Sequence, residues 1–238
     1  MINLELNVTL KCNLACPNCN RLCNIYRDRT EHMSTEQIKK FIQQAKDGGG
    51  ISKLKLLGGE PLMHPQFIDI YNLLNQAIKD GIIKYVKIET NKTIPFPKVD
   101  PSPNICWKGR VQKKKKHQPA LWSPKDLGVV TPVGKCQQLS RCGYSLDKYG
   151  YLPCSPAIMI ARLLNLTHLY KRELPNSPWG LDELCQHCVF SMDQEWRNKY
   201  SSKCIFDFTQ EENSPTKTFK DGLDSFNHDD FYKKQVEF

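Results

Sequence analysis

The chain lacks any continuous apolar block at its start. Met1–Ile2–Asn3–Leu4–Glu5 alternates polar and apolar residues, so nothing there reads as a secretory signal. A bilayer span is missing as well, because the longest apolar stretch, 157–166, is too short and carries Arg162. No internal repeat appears. These absences predict a soluble, cytoplasmic protein with no membrane partner. Cysteine, by contrast, is plentiful: the 238 residues include 11. With no export signal there is no oxidising compartment in which disulfides would form. The grouping also favours metal. Cys12, Cys16, Cys19 and Cys23 form one set, Cys136, Cys142 and Cys154 a second, and Cys185, Cys188 and Cys204 a third, with Cys106 alone.

A formal net charge of +9 points to an anionic partner such as a nucleic acid, a phosphorylated metabolite or an acidic peptide, or simply to a solvated basic surface, the blander reading. Length allows one substantial core, or a modest domain with a smaller appendage.

The first ninety or so residues alternate strand and helix patterns, as in an α/β unit with parallel strands. Ile2, Leu4, Leu6 and Val8 recur with the period of a strand. Ser34 and Gln37 then fit a capping box, with Met33 and Ile38 placed for a hydrophobic staple. That helix continues through Phe41, Ile42 and Ala45 and stops at Gly48–Gly49–Gly50. A second strand, 51–57, runs into Gly58–Gly59–Glu60–Pro61. Phe67, Ile70, Tyr71, Leu74 and Ile78 form the stripe of a second helix, and 82–88 reads as a third strand leading to Thr90–Asn91. From Pro95 through Pro124 prolines interrupt any regular element, and the segment holds the basic run Lys113–Lys114–Lys115–Lys116–His117, read as solvated. Beyond it, 144–152 reads as a hairpin, 155–166 as a helix, and Ser214–Pro215 as the start of a short terminal helix.

Cys12, Cys16 and Cys19 have the spacing CxxxCxxC on the loop after the first strand. Iron–sulfur clusters are normally held by four thiolates, so a compact set of three leaves one iron open to a ligand. With Gly58–Gly59–Glu60–Pro61 and Thr90–Asn91 following at the ends of the next two strands, the sequence resembles the radical S-adenosylmethionine (SAM) superfamily. The resemblance implies a 4Fe-4S cluster on Cys12, Cys16 and Cys19 with SAM on its fourth iron, reductive cleavage of SAM to a deoxyadenosyl radical, and hydrogen abstraction from a substrate. It implies SAM contacts from Gly58, Gly59, Glu60, Pro61, Thr90 and Asn91, and an external electron donor such as a flavodoxin or ferredoxin. It also places these segments at the C-terminal ends of parallel strands, where barrel enzymes keep their active sites. Two positions depart from the family: Asn18 stands where an aromatic residue is common, and Lys92 where a small residue often follows the Thr-Asn pair. Cys23 is read as a bystander.

The later cysteines resemble the auxiliary-cluster module called SPASM, or its shorter form, twitch. Candidate ligands of an auxiliary 4Fe-4S cluster are Cys136, Cys142, Cys154, Cys185 and Cys188. The twitch pattern favours four of them, and the first SPASM site uses Cys142 as well. A structural zinc site is the alternative. The expected fold is α/β: a truncated radical SAM parallel β/α barrel over 1–130, irregular across 92–130, with a cysteine-rich module over 131–206 and a polar tail with a short helix over 207–238.

On the first two strands Glu5, Asn7 and Lys55 alternate with apolar neighbours, whereas parallel strands buried on both faces should read as apolar throughout. The polar face therefore lines a wet lumen or faces solvent. In the first case Glu5, Asn7, Lys55, Lys87 and Glu89 are candidate substrate contacts. Peptide side-chain modification is slightly favoured as the reaction, with dehydrogenation or epimerisation of a sugar-like or nucleotide-like small molecule next, and a nucleotide or nucleic acid as a third choice of substrate. A non-catalytic zinc module binding nucleic acid is the reading from another class.

Overall fold

The structure is a computed structural model and describes residues 1–16, 19–23, 31–109, 123–192 and 216–225. Strand β1 (Ile2–Asn7) is followed by helix α1 (Thr35–Asp47), β2 (Ile51–Leu57), α2 (Phe67–Lys79), β3 (Val86–Thr90) and β4 (Ile105–Gly109). The later chain adds α3 (Gln137–Arg141), β5 (Tyr144–Asp147), β6 (Gly150–Leu152), α4 (Ala157–Leu163), α5 (Leu181–Cys185) and α6 (Lys217–Ser225). One six-stranded sheet has the order β4-β3-β2-β1-β5-β6. Every neighbouring pair is parallel except β5 with β6. Among the described residues the outer strands β4 and β6 do not pair, so the sheet is an open, partial barrel.

Local sequence explains the placement of α1. The Ser34 hydroxyl accepts from Gln37 N at 3.2 Å, and Ser34 N donates to the Gln37 side chain at 2.8 Å, a complete capping box. Ile38, Phe41 and Ala45 on one face of α1, and Phe67, Ile70, Tyr71 and Leu74 on one face of α2, are buried against Leu4, Leu6, Leu54, Leu56, Val86 and Ile88 of the sheet. This apolar layer fixes one side of the sheet and leaves the alternate residues of each strand on the other.

Three features differ from the sequence reading. The third strand begins at Val86 rather than at 82; Ile83 makes only an isolated bridge to Ile51. The proline-rich stretch contains β4, which pairs with β3 from Val86↔Ile105 to Thr90↔Gly109. Five residues between prolines offer too little alternation to announce a strand, and β4 is held by Trp107 packing on Phe67, Tyr71 and Phe96. The basic run 113–117 lies outside the described residues. The third feature is that β5, from the cysteine-rich region, pairs directly with β1 at Leu4↔Tyr144, Glu5↔Ser145 and Leu6↔Leu146, so the sheet runs across the expected boundary at 130/131. A second apolar cluster, including Leu22, Leu152, Ile158, Met159, Leu163 and Leu184, lies beyond that hairpin. The terminal helix α6 buries Phe219 in it.

Candidate functional site

β1 ends beneath the first cysteine motif. Val8 N donates to Leu57 O at 2.9 Å, carrying the β1–β2 pairing to the edge of the loop that holds Cys12, Cys16 and Cys19. The loop folds back on itself through Cys19 N to Cys16 O at 3.2 Å and Leu22 N to Cys19 O at 2.9 Å. Burial raises the Cys12 and Cys16 thiols above their ordinary range, and negative charge on Cys19 raises both further. Cys16 also senses Cys12, so the three sulfurs share one electrostatic neighbourhood. Cys19 is pulled down to about 6, chiefly by a hydrogen bond from Cys23. Cys23, read from the sequence as a bystander, is buried with its thiol against Cys19.

The Gly58–Gly59–Glu60 turn locks onto this loop. Gly59 N donates to Thr9 O at 2.7 Å and Glu60 N to Lys11 O at 2.9 Å. A β-carbon on Gly59 would stand 2.2 Å from Lys11 O, and one on Gly58, whose φ is 150°, 2.3 Å from Thr9 O. The glycines are required here by the approach of one protein strand to another. The Glu60 carboxylate is fully buried and accepts from Leu62 N at 3.1 Å and from Asn91 N at 2.7 Å. Pro61 starts the short turn 61–63 that follows. Asn91 reaches the cysteine loop in turn: its Nδ2 donates to Asn13 Oδ1 at 2.8 Å and lies 3.9 Å from Cys12 Sγ. Thr90 is buried and its hydroxyl accepts from Lys92 N at 3.1 Å. Three segments far apart in sequence thus converge at the C-terminal ends of β1, β2 and β3.

The later cysteines divide unevenly. Cys154 lies within electrostatic reach of Cys188, Cys136 and Cys185; Cys188 senses Cys136 and Cys185, and Cys185 senses Cys136. Burial pushes the Cys188 thiol up to about 12 and that of Cys154 well above its ordinary value. Such burial favours the protonated thiols, and a metal group bound to the set would supply the positive charge that lets them ionise. Cys142 does not join them. Its Sγ accepts from Lys55 Nζ at 2.9 Å and donates to Gln138 Oε1 at 3.2 Å, on the polar side of the sheet. Among the described residues no three Cys, His, Asp or Glu side chains stand close enough together to hold a single metal ion. Cys204 lies outside the described residues.

The polar face of β1 is covered, not solvated. Glu5 and Asn7 are each 4% exposed. Glu5 accepts from Arg21 at 2.5 Å and from Lys55 at 2.7 Å, and also from the Ser155 hydroxyl. Burial raises its carboxyl, but Arg21 and Lys55 outweigh that and hold it at about 2. Asn7 accepts from Arg21 Nε at 2.6 Å and donates to Ser145 Oγ at 2.9 Å. Lys87 pairs with Glu89 nearer the rim. Arg21 and Ser155 are the residues that sequence reasoning missed. The available signal was their position, two residues after Cys19 and one after Cys154.

Comparison with known proteins agrees with the geometry. Residues 6–100 match the Radical SAM superfamily. A probable GTP 3',8-cyclase of Methanothermobacter marburgensis is 33% identical over 95 residues, covering 40% of this chain and 28% of that protein. An S-adenosylmethionine-dependent nucleotide dehydratase of Selenomonas ruminantium is 29% identical over 97 residues, covering 40% of this chain and 34% of that one. The matched segment thus spans about a third or less of either relative. A crystal structure of BtrN in complex with AdoMet and 2-DOIA, 13% identical, covers 92% of this chain and 87% of that one at a TM-score of 0.38, too low to say more about this fold. No helix among the described residues is long and apolar enough to cross a membrane. Residues 6–100 are thus similar to the radical SAM superfamily, whose members use a 4Fe-4S cluster and SAM.

Proposed function

We propose that the chain is a radical SAM enzyme acting on a nucleotide-like or sugar-like small molecule. The observation that carries this reading is the convergence of the CxxxCxxC loop, the Gly-Gly-Glu turn and the Thr-Asn pair, tied together by Asn91 to Glu60 at 2.7 Å and Asn91 to Asn13 at 2.8 Å. Cys12, Cys16 and Cys19 hold the cluster, and Gly58, Gly59, Glu60, Pro61, Thr90 and Asn91 frame the SAM site. A 4Fe-4S cluster held by those three cysteines would supply one-electron reducing chemistry toward SAM, and with it hydrogen abstraction from a substrate. Glu60 positions the turn by accepting from two backbone N–H groups, so the motif ends stay in register before any ligand arrives. The covered face around Glu5, Asn7 and Lys55 forms the substrate chamber and excludes water.

Peptide modification gives way to the small-molecule reading because the relatives above carry nucleotide names. Cys136, Cys154, Cys185 and Cys188 form the twitch-like set that holds an auxiliary 4Fe-4S cluster, and the reductant is a flavodoxin or ferredoxin. The radical SAM core over 1–130 and the module over 131–206 share the sheet through the β1–β5 pairing. Anaerobic purification tests the reading. The protein should be brown, carry about eight irons per chain with matching sulfide, and release 5'-deoxyadenosine from SAM on reduction. Colourless protein containing only zinc would overturn it.

A further inference from the structure

Strand register lines up Ser145, Glu5, Lys55, Lys87 and Cys106 in one row across five strands. Lys55 and Lys87 therefore stand directly opposite each other, each side chain only 14% exposed. Like charges in that relation destabilise a sheet. Arg21, 6% exposed, reaches the same row through Glu5 and adds a third cation. Two carboxylates answer these three: Glu5 bridges Arg21 and Lys55, and Glu89 pairs with Lys87. Among the described residues one positive charge remains over in this group, in a place poorly reached by water. Among the described residues Arg21 Nη1 is also buried with no hydrogen-bond partner. An uncompensated buried cation with an unused donor is costly, and a negatively charged ligand removes both penalties. The location suits a substrate, since Arg21 lies two residues past Cys19 and contacts Ser155, the neighbour of Cys154, at 3.2 Å.

We propose that Arg21, Lys55 and Lys87 form an anion-binding floor that grips a phosphate or carboxylate group of the substrate between the two thiol sets. This deepens the small-molecule reading and rests on the polar face being the substrate chamber. A guanidinium supplies planar, forked donors to such a group, and the two lysines supply point charges.

The test measures calorimetric binding of pyrophosphate, and separately of citrate, to the reconstituted full chain with SAM at saturation, so that the methionine carboxylate is not the anion being read. At least one of the two should bind; preference for pyrophosphate assigns a phosphate, preference for citrate a carboxylate. Lys87→Met should weaken the preferred anion by about tenfold. Glu5→Gln, which removes negative charge from the row, should tighten it, whereas a purely structural role for Glu5 would weaken it. Lys84→Met, at an exposed position outside the row, should leave binding unchanged. Binding of neither anion, or equal binding by wild type and Lys87→Met, would overturn the proposal, and that comparison decides alone if Glu5→Gln does not fold. SAM cleavage is read on the same wild-type preparation. Cleavage without anion binding removes this inference only, and anion binding without cleavage removes the enzymatic reading only.

Discussion

The two thiol sets use one residue type in opposite surroundings. Cys12, Cys16 and Cys19 are half-buried, on a loop bounded by polar backbone from Thr9, Lys11 and Glu60. Cys154, Cys185 and Cys188 are buried, and two of them pack within the second apolar cluster. The difference is one of access. A half-buried set framed by hydrogen-bonding groups would leave room for a ligand beside a metal, whereas the second set, three of its four thiols buried and Cys136 half-buried, is largely closed by the protein itself. The first arrangement suits chemistry and the second suits a fixed charge or an electron relay.

That contrast can be broken most sharply at the ligands. Cys16→Ala should abolish SAM cleavage and remove about half the iron, while Cys188→Ala should remove a similar share of iron and leave SAM cleavage measurable. Identical loss of cleavage in both variants would erase the distinction. The next effect is on stability in acid. Glu5 is held at about 2 against an ordinary 4.5, so its stabilising contribution is complete above the higher value and is lost as pH falls toward the lower one. The expected loss is on the order of 3 kcal/mol, seen by denaturant unfolding and flattened in Glu5→Gln. Gly59→Ala should cost about 1–3 kcal/mol, because its β-carbon would press on Lys11 O, and should weaken SAM binding at the first set only. The smallest effect is expected at Cys142. Cys142→Ala should retain the full iron content, since that sulfur faces Lys55 rather than the buried set. Loss of iron there would redraw the second site.

Much of the first site was legible because each element carries its own punctuation. The Ser34 capping box, the glycine stop after α1 and the stripe of α2 are local signals, and the structure realises them within a few residues. The motif spacing likewise singled out three cysteines that share one loop, but not that Glu60 and Asn91 would tie the segments together, because that contact joins residues 31 apart in sequence. Cys142 could not be separated from Cys154 by spacing alone. What separates them is the turn at Gly143, whose φ of 71° sends Cys142 toward Lys55 while the hairpin carries Cys154 into the apolar cluster. Arg21 was invisible for a related reason: an arginine in a loop reads as solvated until Glu5, Asn7 and Ser155 are folded around it.

The seat of β5 beside β1 has a consequence for how the polypeptide is made. Until residue 147 has left the ribosome, the second strand edge of 4–6 has no partner, and its N–H and C=O groups stand open beside an uncovered ionic cluster. A polypeptide cut after the third or fourth strand would leave that edge of β1 without its partner. Dissection of this molecule into an N-terminal fragment and a C-terminal fragment is therefore best done by co-expressing both pieces, so that the late hairpin can dock as the early strand emerges.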